Sequence, residues 1–280
     1  MDTRNARDYL NWFKISSNGD LHNGWGELSF EAKLFPSLLL SSLTSTLWRT
    51  QYVCDITSDR RVDHWLRTPF IRRHRAQRIE VELGFSIRDC STFQTPSEIR
   101  SCRETFELYI HQSDVEETEF LWTTYQLIDT IAGNRFTSNN FGNPNTSNIS
   151  NVTVNVKTRG ISIKKNGFYL AFRDQGACVS LLYVKVLYRL CENIDQGLVH
   201  FDETPTGASL TDIVERDGRC SNYSNMIRKP LGFCKGNGQW TFQESLLSDS
   251  CHCQEGYELL IDNHHYLNGT SQSRAICNGM

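Results

Sequence analysis

The 280-residue chain has neither a strong charge of one sign nor an apolar run long enough to cross a bilayer. Its 29 basic and 32 acidic side chains give a formal net charge of −3 at pH 7, which argues against a nucleic-acid-binding surface. The longest apolar stretch, residues 34–48, is too short for a transmembrane helix and is interrupted by Pro36. We interpret it as an insertion, an internal strand pair or a gene-model artefact. Residues 1–12 lack the apolar core of a signal peptide, so we expect the chain to be a fragment of a longer protein.

Catalytic and metal-binding motifs are also missing. The sequence contains no nucleophile elbow, H-E-x-x-H, P-loop, dinucleotide-binding fingerprint or kinase signature. It has no paired C-x2-C elements of the kind that bind zinc, and His252 between Cys251 and Cys253 is interpreted as a bystander. The four acidic residues within 114–119 are interpreted as a solvated face rather than as glycosidase carboxylates. We therefore predict a binding protein rather than an enzyme, with no catalytic residue, metal or cofactor.

Cysteine, in contrast, is plentiful. The chain has ten cysteines, an even number that includes the close pair Cys251 and Cys253, and this usage is typical of an oxidised secreted or cell-surface protein. Five N-x-S/T triplets point to the same extracellular compartment. Their asparagines are predicted glycosylation sites: Asn145, Asn148, Asn151, Asn222 and Asn268.

Alternating polarity predicts a fold made of strands. In residues 78–88 every second side chain from Ile79 to Ile87 is apolar, while Arg88 has the opposite parity and is therefore predicted on the outer face at the strand end. Only residues 113–121 have a brief helical pattern. The fold class predicted from the first 190 residues is all-β, a sandwich or jelly roll. Strands are predicted at 47–56, 78–88, 104–111, 151–157, 167–173 and 178–190.

The composition of the sequence changes after Cys191. Cysteines crowd into residues 191–253 and apolar runs shrink, as expected of small modules that disulfides rather than a core hold together. Upstream, the loop at 133–151 is rich in asparagine, glycine and serine, and is interpreted as either a binding loop or a disordered insert.

A series of segments runs in order through nearly the whole chain: NGWGELSF (23–30), RTQYVCDI (49–56), HWLRTPFIRRHRAQRIEVELGFSIRDCSTF (64–93), SCRETFELYIHQSD (101–114), LIDTIAGNRFT (127–137), KKNGFYLAFRDQGACVSLLYVKVLYRLC (164–191), LVHFDETPTGASL (198–210), KGNGQW (235–240) and CHCQEGYE (251–258). Together these segments resemble the ectodomains of Eph receptors, the receptor tyrosine kinases that bind ephrins. The resemblance implies an ephrin-binding jelly roll at residues 1–190, a sushi-like module at 191–252 and a truncated EGF-like module at 253–280.

The resemblance also implies a ligand channel and a disulfide pattern. In these receptors the end of the strand that carries RDC lines a channel for an acidic and apolar loop of the ephrin, so Arg88 is predicted to pair with a ligand carboxylate. Phe93 and Phe136 are predicted apolar walls of this channel, with Ile56 behind them. The implied pairs are Cys54 with Cys178, Cys90 with Cys102, Cys191 with Cys234, Cys220 with Cys251, and Cys253 with Cys277.

The implied function is the extracellular ephrin-binding region of an Eph-like receptor at the cell surface, with no kinase domain in this chain. Implied partners are membrane-anchored ephrins and, through the cysteine-rich region, a second receptor. About ten extra residues at 36–46 and a sequon-rich loop at 139–151 depart from the family pattern, so the ephrin class stays open. The alternatives are a secreted decoy that binds ephrins without signalling and a carbohydrate-binding jelly roll. The tryptophans argue against the second alternative, because they lie in predicted strand cores.

Overall fold

The computed structural model describes residues 1–16, 24–31, 47–57, 61–93, 99–133, 154–243, 247–262, 266–267, 270–271 and 274–279. The chain divides into two compact units, Met1–His74 with Glu80–Leu187, and Arg75–Ile79 with Tyr188–Met280. The domain boundaries predicted at 190 and 252 stay predictions. Several predicted features lie outside the described residues: Phe136, the insertion at 36–46, the loop at 139–151, and the sequons at Asn145, Asn148, Asn151 and Asn268.

The first unit consists of two β-sheets. One sheet has the strand order β2-β3-β11-β6-β9, and the other has the order β1-β4-β10-β7-β8 with β5 paired to β10. The chain therefore crosses repeatedly from one sheet to the other, which confirms the predicted all-β sandwich. The strands are β1 (Phe13–Ser16), β2 (Gly26–Glu31), β3 (Leu47–Cys54), β4 (His64–Arg67), β5 (Ile71–Arg72), β6 (Arg78–Ile87), β7 (Thr105–Ser113), β8 (Gln126–Ala132), β9 (Asn155–Ser162), β10 (Gly167–Asp174) and β11 (Cys178–Leu187), and single 3-10 turns lie at Thr3–Asn5, Cys90–Thr92 and Trp122–Thr124.

The apolar side chains of β6 face the interior of the sandwich, as their alternation predicts. Val81, Leu83 and Phe85 are almost completely buried. Phe85 meets Phe106 of β7 edge to face, with 5.3 Å between the ring centres, so the inner faces of the two sheets pack on each other. Full burial of each such side chain contributes about 1.5–3 kcal/mol to the free energy of unfolding. Ile87, at the end of the strand, is only half-buried.

Prediction from the sequence pattern missed some strands and placed the ends of others at different residues. β4 escaped prediction because all four of its residues, His64–Arg67, are buried and its polarity therefore does not alternate. β1, β2, β5 and β8 were also not predicted. The strand expected at 151–157 starts later, at Asn155. The strand expected at 178–190 ends at Leu187.

The helix predicted at 113–121 is wrong, because Ser113 ends β7 and the residues after it form bends and irregular structure. Its acidic side chains bond to groups that are distant in the sequence or on the preceding strand. The Lys165 Nζ atom donates to the Asp114 carboxylate at 2.7 Å, and Glu117 pairs with His111 of β7 at 3.0 Å. These contacts hold the segment against the sheet in a conformation that its short helical pattern does not encode.

The second unit is built from short strands and a small core. Its main buried cluster contains Val199, Phe201, Leu247 and Cys251, which is little apolar area for a unit of this size. The sushi-like and EGF-like character of its modules stays a prediction. The strands are β12 (Leu190–Cys191), β13 (Ile194–Gln196), β14 (Val199–Phe201), β15 (Thr204–Pro205), β16 (Ile213–Asp217), β17 (Arg219–Cys220), β18 (Ser224–Met226), β19 (Leu231–Lys235), β20 (Trp240–Phe242), β21 (Cys251–Cys253), β22 (Tyr257–Asp262), β23 (Tyr266–Leu267), β24 (Thr270–Ser271) and β25 (Arg274–Gly279).

Disulfides link the strands in both units, and they are the pairs that the resemblance implies. None of the cysteines in the described part of the chain is free. The five bonds are Cys54–Cys178, Cys90–Cys102, Cys191–Cys234, Cys220–Cys251 and Cys253–Cys277.

Within the ranges that the structure describes, no helix has the length and apolar character of a membrane span. In the same ranges no group of three or more His, Cys, Asp or Glu side chains is arranged to hold a metal ion.

Candidate functional site

The outer face of the sheet β2-β3-β11-β6 has a row of small side chains around one tyrosine. Tyr52 of β3 lies opposite Gly26 of β2 and opposite Ser180 of β11, and Ser180 lies opposite Ser86 of β6. Directly opposed residues of antiparallel strands point to the same face, so these four residues form one row across four strands. Tyr52 is 40% exposed, whereas its neighbour Val53 is buried, so the row faces outward.

The glycine in this row makes room for the tyrosine. A Cβ atom at Gly26 would lie 2.5 Å from ring carbons of Tyr52, so only glycine allows the ring to lie over β2. Leu28, two residues further along the same strand, is half exposed and has the same parity. Tyr52 and Leu28 thus give this face an exposed apolar floor.

A disulfide closes one end of the floor. Cys54 and Cys178 lie opposite each other on β3 and β11, two residues beyond the tyrosine row and therefore on the same face. The backbone N–H of Arg88 donates to the carbonyl of Cys178 at 2.9 Å. The end of β6 is thereby held beside the disulfide, and Arg88 emerges at the edge of the floor.

Arg88 is exposed, as its parity in the sequence predicts, and its own loop holds the side chain in place. Its Nε atom donates to Thr92 Oγ1 at 3.1 Å, and the guanidinium carbon lies 4.3 Å from the centre of the Phe93 ring. The other hydrogen bond of the guanidinium among the described residues is a long one, 3.5 Å from Nη2 to the carbonyl of Thr92. Arg88 therefore keeps N–H groups that can donate hydrogen bonds to an incoming carboxylate.

The turn that positions Thr92 is determined by the local sequence. The Asp89 carboxylate caps the 3-10 turn Cys90–Thr92 by accepting from the backbone N–H of Ser91 at 2.7 Å. The Thr92 hydroxyl donates in turn to the carbonyl of Asp89 at 2.6 Å. The motif RDCST is thus a rigid support for Arg88.

The loop that follows is fixed at both ends. The Cys90–Cys102 disulfide closes it over a separation of 12 residues. The carbonyl of Ile56 accepts from the backbone N–H of Arg100 at 2.9 Å, and the carbonyl of Gly176 accepts from Arg103 at 2.8 Å. Of the predicted site residues, Arg88 and Phe93 therefore lie in contact, and Ile56 is buried behind the loop that it anchors.

Buried polar side chains lie next to the turn that receives this loop. The Asp174 carboxylate is completely buried and accepts from the backbone N–H groups of Gly176 and Ala177 at 3.2 and 2.8 Å. Loss of hydration on burial raises the pKa of Asp174 to about 6, although these two hydrogen bonds oppose the shift. The nearby buried His64 pairs with Asp55 through Nε2 at 3.0 Å. Asp174 thus supports the turn and is a buried proton acceptor.

Chemically, the arrangement is suited to binding rather than catalysis. An apolar floor lies beside an arginine that is held in position, and Arg100 and Arg103 are exposed on the same loop. Such a surface complements a protein segment that is apolar in part and acidic in part. Sequence reasoning missed Tyr52 and Leu28. The apolar Val53 between Tyr52 and Cys54, in a predicted strand, could have shown that Tyr52 and Cys54 point to the same face.

Comparison with known proteins identifies the family of this fold. Residues 1–191 match the ephrin receptor ligand binding domain, and residues 192–253 match the ephrin cysteine rich domain. Neither matched family is a catalytic domain.

Curated relatives agree with this match. The chain is 36% identical over 217 residues to ephrin type-B receptor 2 of Coturnix japonica, covering 75% of this chain and 21% of the relative. It is 34% identical over 260 residues to ephrin type-A receptor 4-B of Xenopus laevis, covering 92% of this chain and 24% of the relative. The chain therefore spans about a fifth to a quarter of the length of these relatives.

Among solved structures, the K2 cleaved adhesin domain of Lys-gingipain aligns with a TM-score of 0.38 and 13% identity, over 66% of this chain and 96% of that one. This likeness is too weak to bear on function. The two family matches and the similarity to the two receptors show that the chain belongs to the Eph receptor family, of which it contains the ligand-binding domain and the cysteine-rich domain.

Proposed function

We propose that the first unit binds an ephrin through the outer face of the sheet β2-β3-β11-β6. The observation that carries the proposal is the exposed Arg88, held between Thr92 and Phe93 beside the apolar floor of Tyr52 and Leu28. The ligand contributes an apolar segment to the floor and a carboxylate to the guanidinium.

The physical advantage of this site is that it is ordered before the ligand arrives. The side chain of Arg88 is already restrained by Thr92, so binding costs less side-chain entropy than it would for a free arginine. Docking removes water from the guanidinium, which strengthens its charge-assisted hydrogen bonds to a carboxylate. Burial of the floor adds about 25 cal/mol for each Å² of apolar surface removed from water.

Phe93 and Ile56 have different roles in this proposal. Phe93 supports the guanidinium from one side and is only half-buried, so it can also form a wall of the ligand channel. Ile56 holds the loop through its carbonyl and is a supporting residue. Phe136, the other predicted wall, stays a prediction.

The cellular setting belongs to the same proposal. Family membership and five disulfides support an extracellular location, where thiols are oxidised. The ligand is then a membrane-anchored ephrin on a facing cell, and this chain is the outer region of a cell-surface receptor. Self-association through the cysteine-rich region and a secreted form are further parts of the proposal.

One observation favours a second candidate, carbohydrate binding. The expectation that the tryptophans lie in strand cores holds for Trp65 of β4, and Trp12 and Trp25 are buried just before β1 and β2, but Trp122 is 62% exposed on its 3-10 turn. An exposed tryptophan can stack on the apolar face of a sugar ring, and β-sandwiches include lectin-like modules. A test of the proposed function must therefore separate these two ligands.

The experiment is a titration of soluble ephrins of both classes against residues 1–280 by surface plasmon resonance, with a glycan array in parallel. We expect ephrin binding that Tyr52→Glu weakens by at least about 30-fold, the effect of losing a central contact residue. The matched control is Leu127→Glu, an equally exposed apolar position on β8 of the other sheet, which should bind like the parent. Absence of ephrin binding, together with glycan binding that Trp122→Ala abolishes, would replace the proposal by the second candidate.

A further inference from the structure

A groove of roughly 390 Å³ lies in the second unit and is unrelated to the ligand face. Its walls come from the segment before and within β14, from β17 and the turn after it, and from β25. The backbone N–H of Ala275 donates to the carbonyl of Gly197 at 3.1 Å, which fixes β25 against the first wall. The volume lies within the range of about 300–1,000 Å³ that small-molecule sites occupy.

The lining of the groove combines apolar and polar groups. Leu198 and Ile276 provide apolar surface, and Ile276 is 41% exposed. His200 lies on the polar side, opposite Asp195 on one neighbouring strand and opposite Arg219 on the other. The His200 Nδ1 atom is 2.6 Å from Asp195 Oδ1, so this side chain is held in position. Such a lining suits a sugar ring, which has an apolar face and a polar rim.

Ser221 contributes a further polar group. Its Oγ atom is inaccessible to water and has no hydrogen-bond partner among the described residues, although Ser221 lines the groove. A buried hydroxyl without a partner costs about 1–3 kcal/mol, and rotation of this side chain towards a ligand with hydroxyl or amide groups in the groove would remove this cost. This is an independent indication that the groove takes a polar ligand.

The residue after Ser221, Asn222, is a point at which a ligand can be attached covalently. Asn222 is exposed in the turn after β17, lines the groove and begins the triplet Asn222-Tyr223-Ser224. The turn is well fixed, because Ser224 Oγ donates to the carbonyl of Ser221 at 2.6 Å and the Tyr223 ring stacks on Tyr257 with 4.6 Å between centres. A sugar attached to Asn222 would therefore start at the rim of the groove.

We propose that Asn222 carries an N-linked glycan whose first N-acetylglucosamine residues lie in this groove, with their apolar faces against Ile276 and their polar groups towards Ser221 and His200. Because the glycan is attached to the chain, weak contacts are sufficient to hold it in the groove. A tethered ligand reaches an adjacent site at an effective concentration on the order of millimolar, so even a groove of millimolar affinity is occupied. The seated sugars bridge the segment around Gly197 and the strand β25.

The test uses residues 1–280 secreted from mammalian cells. Glycopeptide mass spectrometry should find Asn222 occupied. Peptide N-glycosidase cleaves the bond between the asparagine and the first sugar. If the first sugars lie in the groove, this bond should be protected from the enzyme. We expect release from the native protein to be at least about tenfold slower than from the reduced and denatured protein.

Two groove variants test whether the first sugars lie in the groove. Ile276→Glu and His200→Ala should each accelerate native release at least about fivefold, since both side chains are partly exposed and their loss should leave the fold intact. The matched control is Ile213→Glu, an exposed isoleucine that does not line the groove and should keep the parental rate. Disulfide mapping of each variant verifies the fold. An unoccupied Asn222, equal release from native and denatured protein, or parental rates in both groove variants would overturn the proposal.

Discussion

Arg88 illustrates how a single residue can be prepared for a ligand by its own neighbours. Its bond to Thr92 and its contact with Phe93 are local, within five residues of the sequence, and neither buries the guanidinium. The side chain is thus held in one place at small cost, while the charge stays hydrated until a partner displaces the water. Substitution of this residue should therefore change binding much more than stability.

We predict that Arg88→Glu weakens ephrin binding by several kcal/mol, because it places like charges face to face. Arg88→Lys should fall between the parent and Arg88→Glu, since it keeps the charge and loses the bidentate geometry. The free energy of unfolding should change by less than about 1 kcal/mol, the range for an exposed cation-π contact. Surface plasmon resonance and thermal unfolding measure the two effects.

The control for this prediction is Phe85→Glu, three residues earlier on the same strand and 1% exposed. A charge at this position should unfold the unit, so that loss of binding is accompanied by loss of structure. If Arg88→Glu instead binds ephrins like the parent, Arg88 only supports its loop and the ligand lies elsewhere.

Asp174 is a second residue with a measurable signature. Its pKa is about 6 in the folded protein and 3.8 for an ordinary aspartate, so the folded state binds the proton more tightly than the unfolded chain. The stabilisation from this proton is complete below pH 3.8 and is lost as the pH rises through 6. We predict that, relative to Asp174→Asn, the parent becomes more stable by on the order of 3 kcal/mol from pH 7 to pH 4. Chemical denaturation of both proteins at a series of pH values measures the difference, and parallel pH profiles would contradict a raised pKa.

Among the structural elements, the loop between β6 and β7 is the one on which the proposed ligand site depends. It is held by the Cys90–Cys102 disulfide and by backbone bonds to Ile56 and Gly176, so the position of its described ends depends on residues from two other parts of the chain. Without the disulfide, the end of β6 would still form, but the segment that supports Arg88 would be restrained from one side only.

We predict that replacing Cys90 and Cys102 by serine lowers the free energy of unfolding by on the order of 3 kcal/mol, the chain-entropy value for a loop of about a dozen residues. Ephrin binding should weaken even under conditions where the variant is fully folded. The matched control is the pair Cys253 and Cys277 in the second unit, whose replacement should leave ephrin binding unchanged. Non-reducing peptide mapping of the parent should first find Cys90 linked to Cys102; a free thiol at either position would refute this account of the loop.

At the scale of the whole molecule, the main features of the proposed ligand face lie in the first unit. Its floor, its disulfide and its loop all come from residues 26–176 and β11, and the long Cys54–Cys178 link joins strands that are 124 residues apart in the sequence. The second unit has its own small buried cluster and three disulfides.

We therefore predict that a fragment of residues 1–190 folds and binds ephrins with a dissociation constant within about threefold of that of residues 1–280. The large core of the sandwich supports independent folding, since domains of this size bury most of the surface of their unfolded chain. Circular dichroism and surface plasmon resonance check the two parts of the prediction. A folded fragment that fails to bind would show that the ligand also contacts residues beyond 190.

The sequence by itself determined the features that depend on local pattern. Alternation along 78–88 predicts both the buried face of β6 and the outward direction of Arg88, because side chains of a strand alternate whatever the strand pairs with. The cysteine count and the ordered family segments indicated the compartment and the all-β class. The same reasoning failed at 113–121, where a short helical pattern was outweighed by bonds to His111 and Lys165, and at β4, whose four buried residues have no alternation to read.

The tertiary structure alone decided which outward side chains meet. Tyr52, Gly26, Ser180 and Ser86 form one row only because β2, β3, β11 and β6 pair in a particular register. The pairings of β11 with β3 and β6 join residues that are more than 90 positions apart. The burial of Asp174 and its raised pKa likewise arise from the packing of the surrounding strands rather than from adjacent residues. A local pattern specifies to which face a side chain points, whereas the neighbours it finds there are fixed by non-local hydrogen bonding and close packing.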